Sequence, residues 1–371
     1  MESIIQSAVS KQANGGLGYI GTLTEEKQPE DFADANDARI VVVGAGGMGC
    51  NAINRLQSVG IVGAETIAMN TDMKHLRTIQ SDRKILLGQE LTKGLGAGGY
   101  PNTGKQAAEE SINEVRDALR GVDMVFVTAG MGGGTGTGCA PVVAECAKSQ
   151  GAIVIGVTTM PFKIEGARIH KAEEGLAKLR QVSDTVIVIE NDKLVEIAGN
   201  MPLQQAFSVA DEIIVTMIKG ITETIAVPSV VNLDYADVKA VMSAGGVAMI
   251  GVSESSSAAR ARESVEQAMT NPLLDVDYRG ATGALVHITG GPDMRLDEIN
   301  EVGDFVAKHL DAGAQTIWGA RIDDSMKGKM RVITIITGVK SQYILGPQSK
   351  LQESVAEAQS LGQTLGIEVI R

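Results

Sequence analysis

Aromatic side chains are scarce in this sequence: five tyrosines, five phenylalanines and one tryptophan among 371 residues. Its core cannot rest on rings. Val, Ile, Ala and Gly take their place, as in α/β proteins with buried parallel strands. Cysteine is scarcer still. Cys50, Cys139 and Cys146 form no CxxC pair, which argues against a disulfide framework and fits a reducing cytoplasm. The four histidines, His75, His170, His287 and His309, lack metal-ligand spacing, so a structural zinc has little support. No apolar run approaches the length of a membrane span. The opening residues, MESIIQSAVSKQ, have no basic region followed by an apolar core and do not read as a secretory signal. Positive charge is in deficit: 33 Lys and Arg against 45 Asp and Glu give a net charge of -12. Such a surface opposes non-specific contact with nucleic acid and anionic lipid. It leaves open an anion held in a pocket of backbone N–H groups.

Glycine is plentiful, with 44 residues, and its placement organises the chain. Residues 1–37 are polar and read as a flexible extension. From residue 38 to 200, β-branched strands alternate with helical patterns. RIVVVG, ETIAMNTD, KILLG, DMVFVTAG, AIVIGVTT and TVIVIEN read as strands, with helices in TGKQAAEESINEVRDALRG and in APVVAECAKSQG, the latter with Pro141 in its first turn. This alternation implies a doubly wound, mostly parallel α/β sheet. Over 201–227, Leu203, Phe207, Ile214, Ile218, Ile221 and Ile225 recur at helical spacing and imply one long buried helix. A second α/β domain follows over 228–346. It has a helix near Ser256–Met269 and strands in ALVHITGG, QTIWGARI and RVITIITGV. Residues 347–371 form a polar tail ending in LGIEVIR.

Two glycine loops each sit between a strand and a helix. Gly44-Ala-Gly46-Gly-Met-Gly49 matches GxGxxG, which places an anion at a helix N-terminus. Alone it suggests NAD or FAD, with Asp72 near the end of the second strand for a ribose. The second loop, in AGMGGGTGTGCAP (129–141), puts five glycines and two threonines into Gly132–Gly138. One pyrophosphate needs one such loop; two loops can surround a triphosphate, with Thr135 and Thr137 adding hydroxyl donors. GLGAGGYP (94–101) can close over the far end. No GxxxxGK[ST] occurs, so this is not a P-loop.

GGGTGTG is similar to the signature of the tubulin/FtsZ superfamily. The stretch from Arg39 to Gly338 resembles the FtsZ division GTPases, in an archaeal-looking version, through GAGGMGCNAINR, NTD, GLGAGGYP, TMPF, NMPLQQAF, NLDYADVKAVM and GATGALVHITGG. The resemblance implies a GTP/GDP site with Mg2+. It implies nucleotide contacts from Gly47, Met48, Gly49, Cys50 and Asn51 of the first loop, and from Gly132, Gly133, Gly134, Thr135, Gly136 and Thr137 of the signature. Asn70, Ala97 and Gly98 would lie near the β- and γ-phosphates, and Asp72 near the metal. Glu165 would meet the ribose, with Arg168 beside it, three residues on where the family usually spaces four. Asn191 would touch guanine, although Glu190 stands where the family often has proline. Phe207 and Asp211, four apart on one helix face, would stack on the purine and accept from guanine N1–H and N2–H2. Without the resemblance, Phe207 reads as core and Asp211 as a solvated helix residue.

NLDYADV (232–238) holds Asn232, Asp234 and Asp237. Read alone, it is a polar loop entering a helix with an aspartate as cap. Asp211 lies about 15 residues before the end of the long helix, roughly 22 Å at 1.5 Å per residue, so these acids fall beyond the same molecule's γ-phosphate. The resemblance implies that they serve a neighbour's nucleotide: Asp234 and Asp237 activate water and Asn232 supports them. Such a contact is head-to-tail and builds an open homopolymer, here the mid-cell division ring. LGIEVIR would dock a membrane-tethering adaptor of SepF type, or else form a last strand on the second domain. The competing readings are a tubulin-like GTPase for cell shape or plasmid segregation, an NAD-dependent oxidoreductase, and a nucleotide-binding scaffold without hydrolysis. The oxidoreductase would leave GGGTGTG unexplained.

Overall fold

Alternation along β1 (Ile40–Ala45) decides how the first half of the chain is layered. Ile40 and Val42 enter one hydrophobic core, Val41, Val43 and Ala45 the other, and every residue of the strand is buried. A strand buried on both faces must be covered by helices on both. The computed structural model describes residues 38–193, 203–227, 229–231, 233–243, 246–270, 276–277, 281–310 and 313–341.

After β1 come α1 (Gly46–Val59), β2 (Ala64–Asn70), α2 (Met73–Thr78), β3 (Arg83–Leu86), α3 (Gln89–Thr92), α4 (Pro101–Glu110), α5 (Ile112–Ala118) and β4 (Met124–Gly130). Then follow α6 (Thr135–Ser149), β5 (Ile153–Met160), α7 (Ala167–Val182) and β6 (Thr185–Glu190). These six strands pair in parallel in the order β3-β2-β1-β4-β5-β6. That is the doubly wound arrangement, and its direction of winding reverses between β1 and β4. The long helix α8 (Leu203–Ala226) buries Ile214, Val215, Met217, Ile218 and Ile221 in the core that also takes Ile53 and Leu56 of α1.

The second half contains α9 (Tyr235–Ser243), β7 (Gly246–Ser255), α10 (Arg260–Met269), β8 (Val276–Asp277), β9 (Gly283–Gly290), α11 (Leu296–His309), β10 (Gln315–Ile322) and β11 (Met330–Ser341). Its strands run β10-β9-β11-β7, with β11 antiparallel to both neighbours, and β7 joins the first sheet by pairing with β6. Buried Arg260 bolts α10 to α11. Its guanidinium donates twice to the buried Glu298 carboxylate, at 2.8 and 2.9 Å, and once each to the carboxylate and the carbonyl of Asp293.

Several elements depart from the sequence reading. Strand β7 and helix α11 were not anticipated. In β7 a Cβ at Gly251 would overlap the Ala268 carbonyl of α10, so this glycine serves packing. The single helix expected over 103–121 is two, α4 and α5. They meet at Ser111, whose hydroxyl accepts the Gly88 N–H at 3.0 Å. The helix expected from Ala140 begins at Thr135, so Pro141 lies inside it rather than in its first turn. The signature threonines, with Gly136 and Gly138, are therefore the opening of α6. Gly138 explains why: a Cβ there would overlap the Pro101 carbonyl and approach Lys105 N to 2.6 Å, so α4 and α6 touch backbone to backbone. The extension 1–37, Asn232 and the tail over 342–371 lie outside the described residues.

Gly138→Ala must push α4 and α6 apart. The expected cost is about 1–3 kcal/mol, read as a lower urea midpoint, while Gly303→Ala, with open space over its Cα, leaves the midpoint unchanged or raises it.

Candidate functional site

Two helices start side by side where the winding reverses. β1 leads into α1 and β4 into α6, and β1 and β4 are neighbours. Neither helix has a side-chain cap at its N-terminus, and neither has an acid in its first turn. Their first N–H groups therefore lack helical and side-chain partners, and both dipoles favour negative charge in the crevice.

The glycines here divide the labour. Gly46 has a φ of 74°, which turns the chain out of β1. A Cβ at Gly49 would overlap the Thr128 carbonyl, and one at Gly136 would come within 2.7 Å of the Gly130 carbonyl. These two let the helices sit down on the strands. Gly47 and Gly133 have nothing within 4 Å of a modest Cβ, so their missing side chains leave room in the crevice itself.

A cavity of about 720 Å³ opens there. Its lining brings together Gly47, Met48 and Asn51 of α1; Gly133, Gly134, Thr135 and Gly136 at the start of α6; Glu165 just before α7 and Arg168 in its first turn; and Asn191 and Asp211. The volume suits a nucleotide-sized ligand. One wall is buttressed by the 94–100 loop, where Ala97 Cβ would stand 2.9 Å from a Cβ on Gly134. Lys171 of α7 holds that loop by donating to Gly99 O at 2.9 Å, with its ammonium 5.6 Å from the Tyr100 ring centre. The Thr71 and Thr135 hydroxyls bond each other at 2.7 Å and join the NTD turn to the signature.

At the other end, Glu165 accepts the Phe162 N–H and pairs with Arg168. Burial pushes the Asp211 carboxyl up to about 6, against the pull of Arg55, which is itself paired with Glu212 at 2.7 Å. Phe207 lies in α8, with its side chain outside the described residues.

Other residues named from sequence stand behind the lining. Cys50 faces the core, its thiol donating to the Gly44 and Met69 carbonyls and pushed up to about 12 by burial, so only its backbone can serve a ligand. Thr137 is buried with its hydroxyl unpartnered, and it lines a separate groove between α4, α6 and α7. Its hydroxyl is therefore not a donor into the cavity. Asn70 is buried under the NTD turn, and Asp72 caps α2 by accepting the His75 N–H at 3.1 Å. Gly49, Ala97, Gly98 and Gly132 do not line the cavity; a Cβ on Gly132 would meet the Arg168 carbonyl at 2.9 Å. Sequence reasoning missed Gly130, Met131, Thr159, Pro161 and Phe162. The signal for the last three was TMPF at the carboxyl end of β5, next to the switch point.

The acid loop sits elsewhere. Tyr235 donates its hydroxyl to Asp123 O at 2.9 Å, immediately before β4. The cavity is at the far end of that strand, seven residues on, or roughly 23 Å at 3.3 Å each. Val231 pairs with Ala320 of β10, and Leu233 packs over Gly319. Asp234 and Asp237 accept each other's N–H at 2.8 and 3.2 Å, which is a reciprocal cap on α9.

The profile of the Tubulin/FtsZ family GTPase domain matches residues 39–199, and that of the FtsZ family C-terminal domain matches 246–340. The chain belongs to the FtsZ family. Cell division protein FtsZ 2 of Methanocaldococcus jannaschii is 62% identical over 317 residues, covering 85% of this chain and 83% of that protein. Cell division protein FtsZ 1 of Pyrococcus furiosus is 53% identical over 325 residues, covering 87% of each. Among solved structures, an empty FtsZ dimer of M. jannaschii matches with a TM-score of 0.78 at 50% identity, over 85% of this chain and 93% of that one. In this FtsZ-family chain the uncapped helix pair lies inside the GTPase domain.

The raised Asp211 carboxyl has a pH signature. The folded chain holds that proton more tightly than the unfolded one, so its contribution to stability is full below pH 4 and is lost as pH rises to about 6. Asp211→Asn should stabilise the nucleotide-free protein at pH 7 but not at pH 4, by up to about 3 kcal/mol, measured by urea unfolding at both values.

Proposed function

We propose that this FtsZ-family GTPase binds GTP across the two glycine loops and hydrolyses it only where a second subunit closes the cavity. The anchoring of the acid loop carries the reading. Tyr235 ties it to the opposite end of β4 from the uncapped helices, so Asp234 and Asp237 are remote from their own cavity. The backbone N–H groups of Gly47–Asn51 and Gly132–Thr137 would hold the phosphates, with the loop carrying Ala97 and Gly98 closing over them. Glu165 and Arg168 serve the ribose. Asn191, Phe207 and Asp211 read guanine; ionised Asp211 can accept from N1–H and N2–H2 but meets an unprotonated N1 in adenine.

Magnesium belongs to this reading. Among the described residues, no three His, Cys, Asp or Glu side chains converge on a metal site. That fits a Mg2+ held mainly by phosphate oxygens and water. Asp72, with one oxygen spent on the α2 cap, is the carboxylate this reading assigns to the ion, through water. The ion would neutralise charge on the phosphates.

In the assembled state, Asp234 and Asp237 of one subunit polarise a water against the neighbour's γ-phosphate, supported by Asn232. The bond from the γ-phosphorus to the bridging oxygen breaks, and GDP and phosphate result. Exposed apolar side chains occur at both ends: Leu95 at 84% and Ile164 at 94% beside the cavity, and Val230 at 69% beside the acid loop. Two different faces meeting in this way give a filament, in this chain the ring that divides the cell from the cytoplasmic side. No helix among the described residues is long and apolar enough to cross a membrane. The reading therefore assigns membrane contact to a SepF-like adaptor gripping residues 365–371. It divides the chain at 38–200, 201–227 and 228–346.

GTPase activity per subunit should rise steeply with protein concentration. Because both aspartates cap α9, the informative variants are Asp234→Asn and Asp237→Asn, which keep capping ability and lose charge. Each should bind GTP normally and lose most turnover. Gly133→Val should fold and fail to bind GTP. Mixed one to one, Asp234→Asn and Gly133→Val should regain about a quarter of wild-type activity, because a sound cavity then meets a sound loop at one junction in four. No recovery on mixing, with both variants folded and assembling, would remove the shared site.

A further inference from the structure

His75 is not among the residues that sequence reasoning connects to the nucleotide, yet it joins two that are. Its Nδ1 lies 3.0 Å from Asn70 Nδ2, and its Nε2 lies 3.1 Å from Asn51 Oδ1. The direction of each bond can be worked out from one fixed end. The Asp72 backbone N–H can only donate, and it donates to Asn70 Oδ1 at 3.3 Å. This turns Asn70 so that its NH2 faces His75. An amide NH2 also only donates, so Nδ1 must accept and the ring proton must sit on Nε2. Nε2–H then donates to Asn51 Oδ1. The other end of the Asn51 amide is its NH2 group, and Asn51 lines the cavity.

We propose that His75 is a positioning residue for the phosphate end of the cavity: held in its Nε2-protonated tautomer by Asn70, it orients the Asn51 amide so that its NH2 points at the bound nucleotide. The relay runs from the backbone of Asp72 through Asn70 and His75 to Asn51, and it spans α1, the end of β2 and α2. Its logic is one of sign. An amide turned the other way presents an oxygen to the phosphates and repels them; turned this way it donates a charge-assisted bond. Asn51 is exposed at the surface of α1, and among the described residues its only recorded side-chain bond is to His75. Without the imidazole, no other side-chain bond among the described residues selects between the two orientations. His75 itself stands back from the cavity lining and acts only through Asn51. This inference rests on the cavity being the nucleotide site.

The test is equilibrium binding of GTP and GDP to the full-length chain, carrying single and paired changes at 51 and 75. His75→Ala should weaken both nucleotides about tenfold, the loss expected when a hydrogen bond to a charged group is no longer aimed. His75→Gln should restore binding to within about twofold, because its amide offers the same acceptor–carbon–donor sequence as Nδ1–Cε1–Nε2. In an Asn51→Ala background, His75→Ala should change nothing further, since the relay no longer has an end. With only four histidines in the chain, ring 15N shifts after histidine labelling should report the Nε2–H tautomer at this position. A thermal midpoint for each variant separates misfolding from lost aim. Effects at 51 and 75 that multiply, a His75→Gln as weak as His75→Ala, or an Nδ1–H tautomer would overturn the inference while leaving the nucleotide site standing. A wild-type chain that binds no guanine nucleotide would overturn both.

Discussion

Two helix N-termini cannot share one crevice unless their backbones come closer than side chains allow. Here α1 and α6 start from adjacent strands, and both have their first turns free of caps and acids. Gly49 lies on the Thr128 carbonyl and Gly136 on the Gly130 carbonyl, with no room for a methyl group at either. This close approach fixes where the unsatisfied N–H groups point, and hence where an anion can sit. The loop at 94–100 rests on Gly134, and α4 rests on Gly138 through Pro101 and Lys105. Helix α8 then packs across the other face and delivers Asp211 to the opposite end of the same cavity. Remove the glycine contacts and the cavity has no floor.

Much of this was legible in the sequence, and the illegible parts have physical reasons. Strands of continuous Val, Ile and Ala, and the helical spacing from Leu203 to Ile225, announce themselves because burial dictates their composition. Helix α11 does not, because its buried face is thin, chiefly Val302 and Val306, amid acidic and basic residues. β7 carries a glycine, Gly251, that serves a neighbour's backbone rather than a turn. In the site, the glycine loops, Glu165, Arg168, Asn191 and Asp211 could be placed in advance and do converge in one cavity. The hydroxyl of Thr137 could not. Motifs record residue types, while helix phase decides which face a side chain takes; with α6 beginning at Thr135, residue 137 turns toward α7 and residue 135 toward the cavity.

The pair Asp234 and Asp237 shows how a structural duty can leave charge in place. Each carboxylate accepts the other's backbone N–H. Each carboxylate oxygen has further lone pairs, and the second oxygen of each accepts no hydrogen bond among the described residues. A capping arrangement therefore holds two negative charges at a defined spacing on a loop that is itself fixed by Tyr235, Val231 and Leu233. Preorganisation of this kind costs nothing at the moment a partner arrives.

The bridge between Val231 and Ala320 reaches beyond the acids it supports. β10 is the terminal strand of the sheet, and it carries exposed Trp318 and Ile322. Val231 donates to and accepts from Ala320 at 3.1 Å each way, so the chain covers part of its own raw edge. At the opposite margin, β3 has only four residues, two of them Arg83 and Lys84. An open sheet edge carries a standing risk of sheet-to-sheet sticking wherever copies of a chain meet. With one margin partly covered and the other short and charged, both edges of the sheet are poor templates for strand addition.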